Sequence, residues 1–236
     1  MTSKEILKDL KANGIESYKN TLLKHGAKEP FYGVKIEYMK SAFVKKIKKN
    51  HELSLELYDS GISDAMYLAG LIADEKKITK KQLRHWADKA HWHMMAEYTV
   101  PWIAAESPYG WELGLEWIKS KKELVACAGW CALSNVIMLK DDKDLDLKKI
   151  KSFLEDIEKN IHKAPNRVRY TMNGFVIAVG CYITSLTATA LATAKAIGPV
   201  KVEMGGTACK VPSVPEYVSK LKARGSLGKK KKMARC

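Results

Sequence analysis

The residues that could do chemistry are concentrated between Ala87 and Ser107, where His91, Trp92, His93, Glu97, Trp102 and Glu106 fall in one largely apolar run. A carboxylate beside imidazoles and indoles suits proton transfer, metal ligation or the enclosure of a cationic heterocycle. On a helix His93 and Glu97 lie four apart and share a face, whereas His91 is about 200° around from His93, so this segment alone is a poor three-ligand site. It also lacks the two histidines four apart around a glutamate that a zinc protease would show, and no metal is expected. The plain alternative is a His93–Glu97 pair beside a core of Trp92, Met94 and Met95. Cys127 and Cys131 share a helical face without further ligands and read as small buried hydrophobes.

A second cluster, Asn166-Arg167-Val168-Arg169-Tyr170-Thr171-Met172-Asn173, opens a helix with two cations, a phenol and two amides. Free backbone N–H groups and arginine forks suit phosphate oxygens, making Arg167, Arg169, Tyr170 and Asn173 candidate backbone contacts. The alternative is a pair of solvated arginines with Tyr170 in the core. Tryptophans and tyrosines crowd the middle of the chain from Trp86 to Trp130. Such rings can stack bases, although packing between paired helices is their commoner use.

These residues must be carried by helices. Apolar residues recur three and four apart, as in Ile6, Leu7, Leu10 and in Tyr38, Met39, Phe43, Ile47. The pattern predicts one helix over Ser3 to Lys24, others over Ile36 to Lys49, His91 to Ala105, Lys121 to Leu139 and Arg167 to Ser185, and the rest in similar lengths, with Thr79 and Asp146 as N-caps. Val200 to Met204 is the one short strand-like segment, inside what reads as a loop. Short connections favour antiparallel neighbours, an all-α fold built as an α-solenoid or an irregular bundle. The expected organisation is a single helical domain over residues 1–224, with 198–214 irregular, followed by a basic tail over 225–236 that stays mobile unless bound.

Lys and Arg number 41 against 26 Asp and Glu, a net charge of +15. Eight of these cations, among them Lys229, Lys230, Lys231 and Lys232, lie between Lys220 and Cys236 with no acid. The body keeps 33 cations against 26 acids, +7. A basic body with a basic tail suggests a polyanionic partner. Five scattered cysteines, an odd number, argue against a disulfide framework and for a reducing compartment. The opening Met-Thr-Ser-Lys-Glu-Ile lacks a secretory pattern, so a cytoplasmic protein is expected. The uncharged run Gly174 to Ala194 is long enough to span a bilayer but rich in Ala and Thr. It is read as two buried helices meeting near Ser185, with no membrane association.

With the helical pairs, the Phe31-Tyr32-Gly33-Val34-Lys35 segment, the tryptophan-rich middle and the ending from Cys209-Lys210-Val211-Pro212 to Gly228-Lys229-Lys230-Lys231-Lys232-Met233-Ala234-Arg235-Cys236, the chain resembles the DNA alkylation repair family of HEAT-like alkylpurine DNA glycosylases, the AlkD-like group. The resemblance implies a superhelix of HEAT-like antiparallel helix pairs whose concave basic face holds double-stranded DNA, a monomer, and hydrolytic release of N3- or N7-alkylated purines without metal or cofactor. Such a reaction needs a carboxylate to stabilise the oxocarbenium-like sugar and aromatic faces for the cationic base. The family's Trp-Asp-x-x-Asp helix aligns with Trp92-His93-Met94-Met95-Ala96, which keeps the tryptophan and loses both acids. Glu97, one place on, takes the carboxylate's role only if the helix changes register. The family's arginine has no counterpart in Lys122 to Trp130. Glu97, Trp92 and His93 are therefore the candidate catalytic residues, with Trp102 as a second aromatic wall. Three functions are open: a glycosylase of this family, a non-catalytic duplex-binding or architectural relative, and a solenoid that binds a protein or RNA.

Overall fold

The computed structural model describes residues 1–235, and among these there is no strand. Two short helices, α1 (Ser3–Ala12) and α2 (Glu16–Lys24), stand where a single helix is predicted. The break falls at Asn13 and Gly14, and a Cβ on Gly14 would lie 2.5 Å from the Tyr32 carbonyl oxygen. Helices α3 (Ile36–Met39) and α4 (Lys45–Ile47) are joined through a π-helical turn, Lys40–Val44. The segment before them is held by Asp64, whose buried carboxylate accepts from the backbone N–H groups of Tyr32 (2.6 Å) and Val34 (2.8 Å). Gly33 between them has φ +77°, and a side chain there would meet Lys19 at 2.7 Å.

The remaining helices pair in chain order: α5 (His51–Asp59) with α6 (Ser63–Ile72), α7 (Lys80–Lys89) with α8 (Val100–Glu106), α9 (Gly110–Trp117) with α10 (Glu123–Leu139), α11 (Leu147–Asn160) with α12 (Asn166–Tyr182), and α13 (Thr187–Ile197) with α14 (Val214–Ala223). The second members pack side by side as an inner row, α6–α8–α10–α12–α14, and the first members cover them from outside. The difference shows in burial: every residue of α6 is buried, whereas amphipathic α11 buries only Ile150, Phe153, Leu154 and Ile157. Trp130, Phe153 and Phe175 interlock edge to face at 5.2 to 5.9 Å and tie α10, α11 and α12 together. Helix starts carry the expected caps: Thr79 accepts from the Gln82 N–H in a capping box, and Asp146 accepts from the Lys149 N–H.

The uncharged run Gly174 to Ala194 is two helices, since α12 and α13 meet at 116° across a turn near Ser185. The Thr187 hydroxyl donates back to the Gly180 carbonyl at the bend. Among the described residues no single helix is long and apolar enough to cross a membrane. Val200 to Met204 forms no strand, and residues 198–213 fold as an irregular loop over the start of α12.

The C-terminal segment differs from the mobile tail expected. Residues 225–235 run as a strap across the C-terminal ends of the inner row, in reverse chain order. Gly228 N–H donates to Cys181 O of α12 (2.8 Å), and Lys231 N–H donates to Met138 O of α10 (2.8 Å). Ala234 N–H reaches Glu106 of α8 (2.7 Å), and Arg235 Nη1 reaches Ala73 O just past α6 (2.8 Å). Helix ends leave carbonyls without partners and a partial negative charge, so a cationic segment rich in N–H donors is bound there. Cys236 lies outside the described residues.

Candidate functional site

Glu97 sits in a π-helical segment, Met95–Thr99, that runs into α8. The cause lies four residues beyond Glu97. Pro101 has no N–H, and in a straight α-helix its ring would collide with the carbonyl of residue 97, so the widened turn relieves the clash. That turn interrupts the regular helical register between Trp92 and the residues after it.

The Glu97 carboxylate is almost fully buried, with 3% of the side chain exposed, and does not pair with His93. It takes two parallel bonds from Arg167, Nε to Oε1 at 2.8 Å and Nη2 to Oε2 at 2.6 Å. The same guanidinium lies 4.3 Å from the centre of the Tyr170 ring and gives Nη1 to Met204 Sδ at 3.5 Å. The backbone N–H of Arg167 donates to Glu123 Oε1 at 2.7 Å, so a carboxylate from the start of α10 occupies the first turn of α12. The arginine expected to meet phosphate is thus committed to two carboxylates of its own chain. Burial pushes the Glu97 carboxyl above its ordinary range, with Arg167 acting in the opposite direction. His93 is lowered to about 4 by burial and then by the positive charges of Arg167 and His25, so it is neutral at neutral pH.

Two clefts open over this ion pair. The larger, about 620 Å³, is walled by His25, Lys28, His93, Arg167, Tyr170 and Tyr217. The smaller, about 270 Å³, is walled by Glu97, Trp102, Cys131 and Lys231. Tyr98 and Tyr170 line both, making one continuous trough. Its exposed aromatic surface is phenolic: Tyr98 is 40% and Tyr217 44% exposed, against 3% for Trp92 and 4% for Trp102. Trp102 stands edge-on to Tyr98 at 5.7 Å and backs it. Tyr98 and Tyr217, with Lys28 and Lys210, line the trough and are residues that the sequence reasoning did not single out as site candidates. Tyr98 directly follows the carboxylate of interest, which was the available signal.

The other candidates separate. Arg169 and Asn173 lie beneath the 198–213 loop, where Asn173 Nδ2 donates to Pro212 O at 2.8 Å. Lys230 is spent on Ile137 O (3.0 Å) and Asp142 (2.8 Å), and the Lys231 ammonium stands 5.8 Å from the Tyr182 ring centre beside the smaller cleft. Lys229 and Lys232 are exposed. Among the described residues no three His, Cys, Asp or Glu side chains gather closely enough to hold a metal. The Cys127 thiol is held above its ordinary range by burial.

Residues 6–196 match the family described as DNA alkylation repair enzyme. This chain belongs to the DNA alkylation repair family. Its relatives include Lin0241 of Listeria innocua, 31% identical over 217 residues, which cover 90% of this chain and 92% of that protein. Lmo0209 of Listeria monocytogenes is 32% identical over the same shares of each chain. A solved structure covering 100% of both chains superposes with a TM-score of 0.90 at 35% identity, and it is described as a new family of proteins related to the HEAT-like repeat DNA glycosylases with affinity for branched DNA structures. The fold is therefore the HEAT-like helical repeat that the sequence resemblance implies. Within this DNA alkylation repair family member, the inner face combines cations, exposed phenols and a carboxylate already neutralised by Arg167.

Proposed function

We propose that this protein binds DNA through the inner-face trough without cleaving the glycosidic bond, and that its preferred partner is branched DNA. The observation that carries this reading is the Glu97–Arg167 pair. A carboxylate that is to stabilise an oxocarbenium-like sugar must face the substrate with its charge unspent. Glu97 has both oxygens on one guanidinium and almost no exposed surface. What remains available to a nucleic acid is electrostatic and stacking surface: Lys28, Lys210 and Lys231 for phosphates, Tyr98, Tyr170 and Tyr217 for bases or sugars. The preference for branched DNA is supported by the 35% identical neighbour and its affinity for such structures.

Methylated linear duplex and an unmodified three-way junction separate this reading from the glycosylase. Fluorescence anisotropy is expected to show junction binding that falls steeply with salt, while chromatography detects no free 3-methyladenine or 7-methylguanine. Base release by the wild type that disappears in Glu97→Gln would establish the catalytic alternative instead.

A further inference from the structure

A third cavity, about 850 Å³, lies on the far side of the 198–213 loop from the trough, and Glu203, Met204, Cys209, Lys210 and Pro212 line both. Arg169 forms its floor. It follows Arg167 by two residues, roughly 200° around the helix, so one arginine faces Glu97 while the other faces the loop. The Arg167 guanidinium is committed to Glu97, whereas the Arg169 side chain makes no hydrogen bond or ion pair with any described residue. Its Nε is shielded from solvent and has no partner. A half-buried guanidinium with an orphaned N–H is a group that a native fold normally satisfies.

The cavity walls add donors of the same kind. The backbone N–H groups of Val200, Val202 and Val211, all half-buried, make no hydrogen bond among the described residues. Lys201 and Lys210 stand exposed on the wall. Glu203 is the one carboxylate among the lining residues. It is exposed, and its backbone, held by Asn166 at 2.7 and 3.0 Å, is the part fixed in the wall. The remaining lining is largely apolar, including Ile197, Pro199 and Val214. The space exceeds a lone phosphate and accommodates a phosphate with its sugar.

We infer that this cavity is a phosphate site centred on Arg169, filled by a phosphodiester of a DNA strand that leaves the trough across residues 203–212. This rests on the DNA-binding reading and deepens it, because a linear duplex lying in the trough need not cross the loop, whereas a diverging arm of a junction can. The same chemistry would take a free nucleotide, and the test distinguishes the two sources.

Binding of a three-way junction and of a linear duplex is measured for the wild type, Arg169→Ala and Arg169→Lys across a salt series, with thermal unfolding of each variant in inorganic phosphate and in deoxyadenosine monophosphate. Arg169→Ala is expected to weaken junction binding about fivefold or more and to lower the magnitude of the salt slope by about one. Linear duplex affinity should change less than about twofold, and Arg169→Lys should recover part of the loss. Because the guanidinium makes no bond with any described residue, the alanine variant should unfold at or above the wild-type temperature. Stabilisation of the wild type but not Arg169→Ala by the mononucleotide, with DNA affinities unchanged, would keep the phosphate site and overturn DNA as its source. Equal DNA affinities with no stabilisation by either phosphate would overturn the site. A wild type that binds neither DNA but is stabilised through Arg169 would overturn the DNA-binding reading alone.

Discussion

His93 is an imidazole whose proton affinity is set by its surroundings. Burial and the nearby Arg167 and His25 charges lower it from 6.5 to about 4, and half-buried His91, its Nε2 2.7 Å from Ser63 Oγ, shifts in the same direction. Between pH 6.5 and about 4 the unfolded chain binds a proton at position 93 that the folded chain refuses, so stability falls as pH falls through that window. The loss attributable to His93 is on the order of 3 kcal/mol at its acid end. Urea unfolding at pH 7 and at pH 4.5 should show His93→Gln losing clearly less stability on acidification than the wild type, and equal losses would remove this role from His93. The sequence shows His93 and Glu97 as neighbours on one helical face, and that is where its legibility ends. The partner common to both is Arg167, 70 residues further along from Glu97, brought in by the packing of α12 against α10, which itself packs on α8 and the Met95–Thr99 turn. A helical wheel also misses the π turn, because the wheel assumes 3.6 residues per turn throughout. Arg167 and Arg169 are visible as a cationic pair, but only the tertiary structure assigns one to a carboxylate and leaves the other open.

Helix existence is well marked in this sequence because apolar periodicity and capping residues agree, as at Thr79 and Asp146. Interruptions that depend on another element are not marked: the break at Gly14 answers to the Tyr32 carbonyl, and the widened turn at Met95–Thr99 answers to Pro101. Close approach between paired helices is similarly hidden in glycines that a helix would otherwise avoid. A Cβ on Gly129 of α10 would lie 2.5 Å from Ile118 N and 2.9 Å from the Trp117 carbonyl carbon, backbone atoms at the end of α9 that cannot swing aside. Gly129→Ala must therefore separate α9 from α10, at a cost of about 2 kcal/mol. Gly174 of α12 has nothing within 4 Å of the same construction, and there alanine should stabilise by roughly 0.5–1 kcal/mol through helix propensity alone. Equilibrium urea denaturation of the two variants should move the midpoint in opposite directions. A shared direction would mean that helix propensity, and not the approach of α9, decides at Gly129.

For the whole molecule the distribution of charge carries two separate functions that composition merges. A net charge of +15 with eight cations at the end suggests a tail kept for a polyanion, yet two of the strap's charges, Lys230 and Arg235, are spent on the protein itself. The Arg235 side chain is 9% exposed and joins the ends of two inner helices: Nε donates to Glu106 of α8 at 2.8 Å, while Nη2 donates to Glu75 at 2.6 Å and Nη1 to Ala73 O at 2.8 Å, both just past α6. Since the strap touches the ends of α12, α10, α8 and α6 in turn, it fixes their spacing along the face that carries the trough, and Lys231 and Ala234 supply part of the smaller cleft's wall. Removing the guanidinium takes an ion-pair partner from two nearly buried carboxylates, leaving Glu75 its Lys49 partner and Glu106 the backbone N–H groups of Ala234 and residue 235. Arg235→Ala should therefore lower unfolding free energy by about 3 kcal/mol, while alanine at exposed Lys229 or Lys232 should stay within about 0.5 kcal/mol. Thermal and urea unfolding of the three variants decide the matter: three equally small effects would return the segment to the role of a solvated tail. A large loss at Arg235 alone would mean that the strap is an integral part of the fold that carries the trough, held through this one guanidinium.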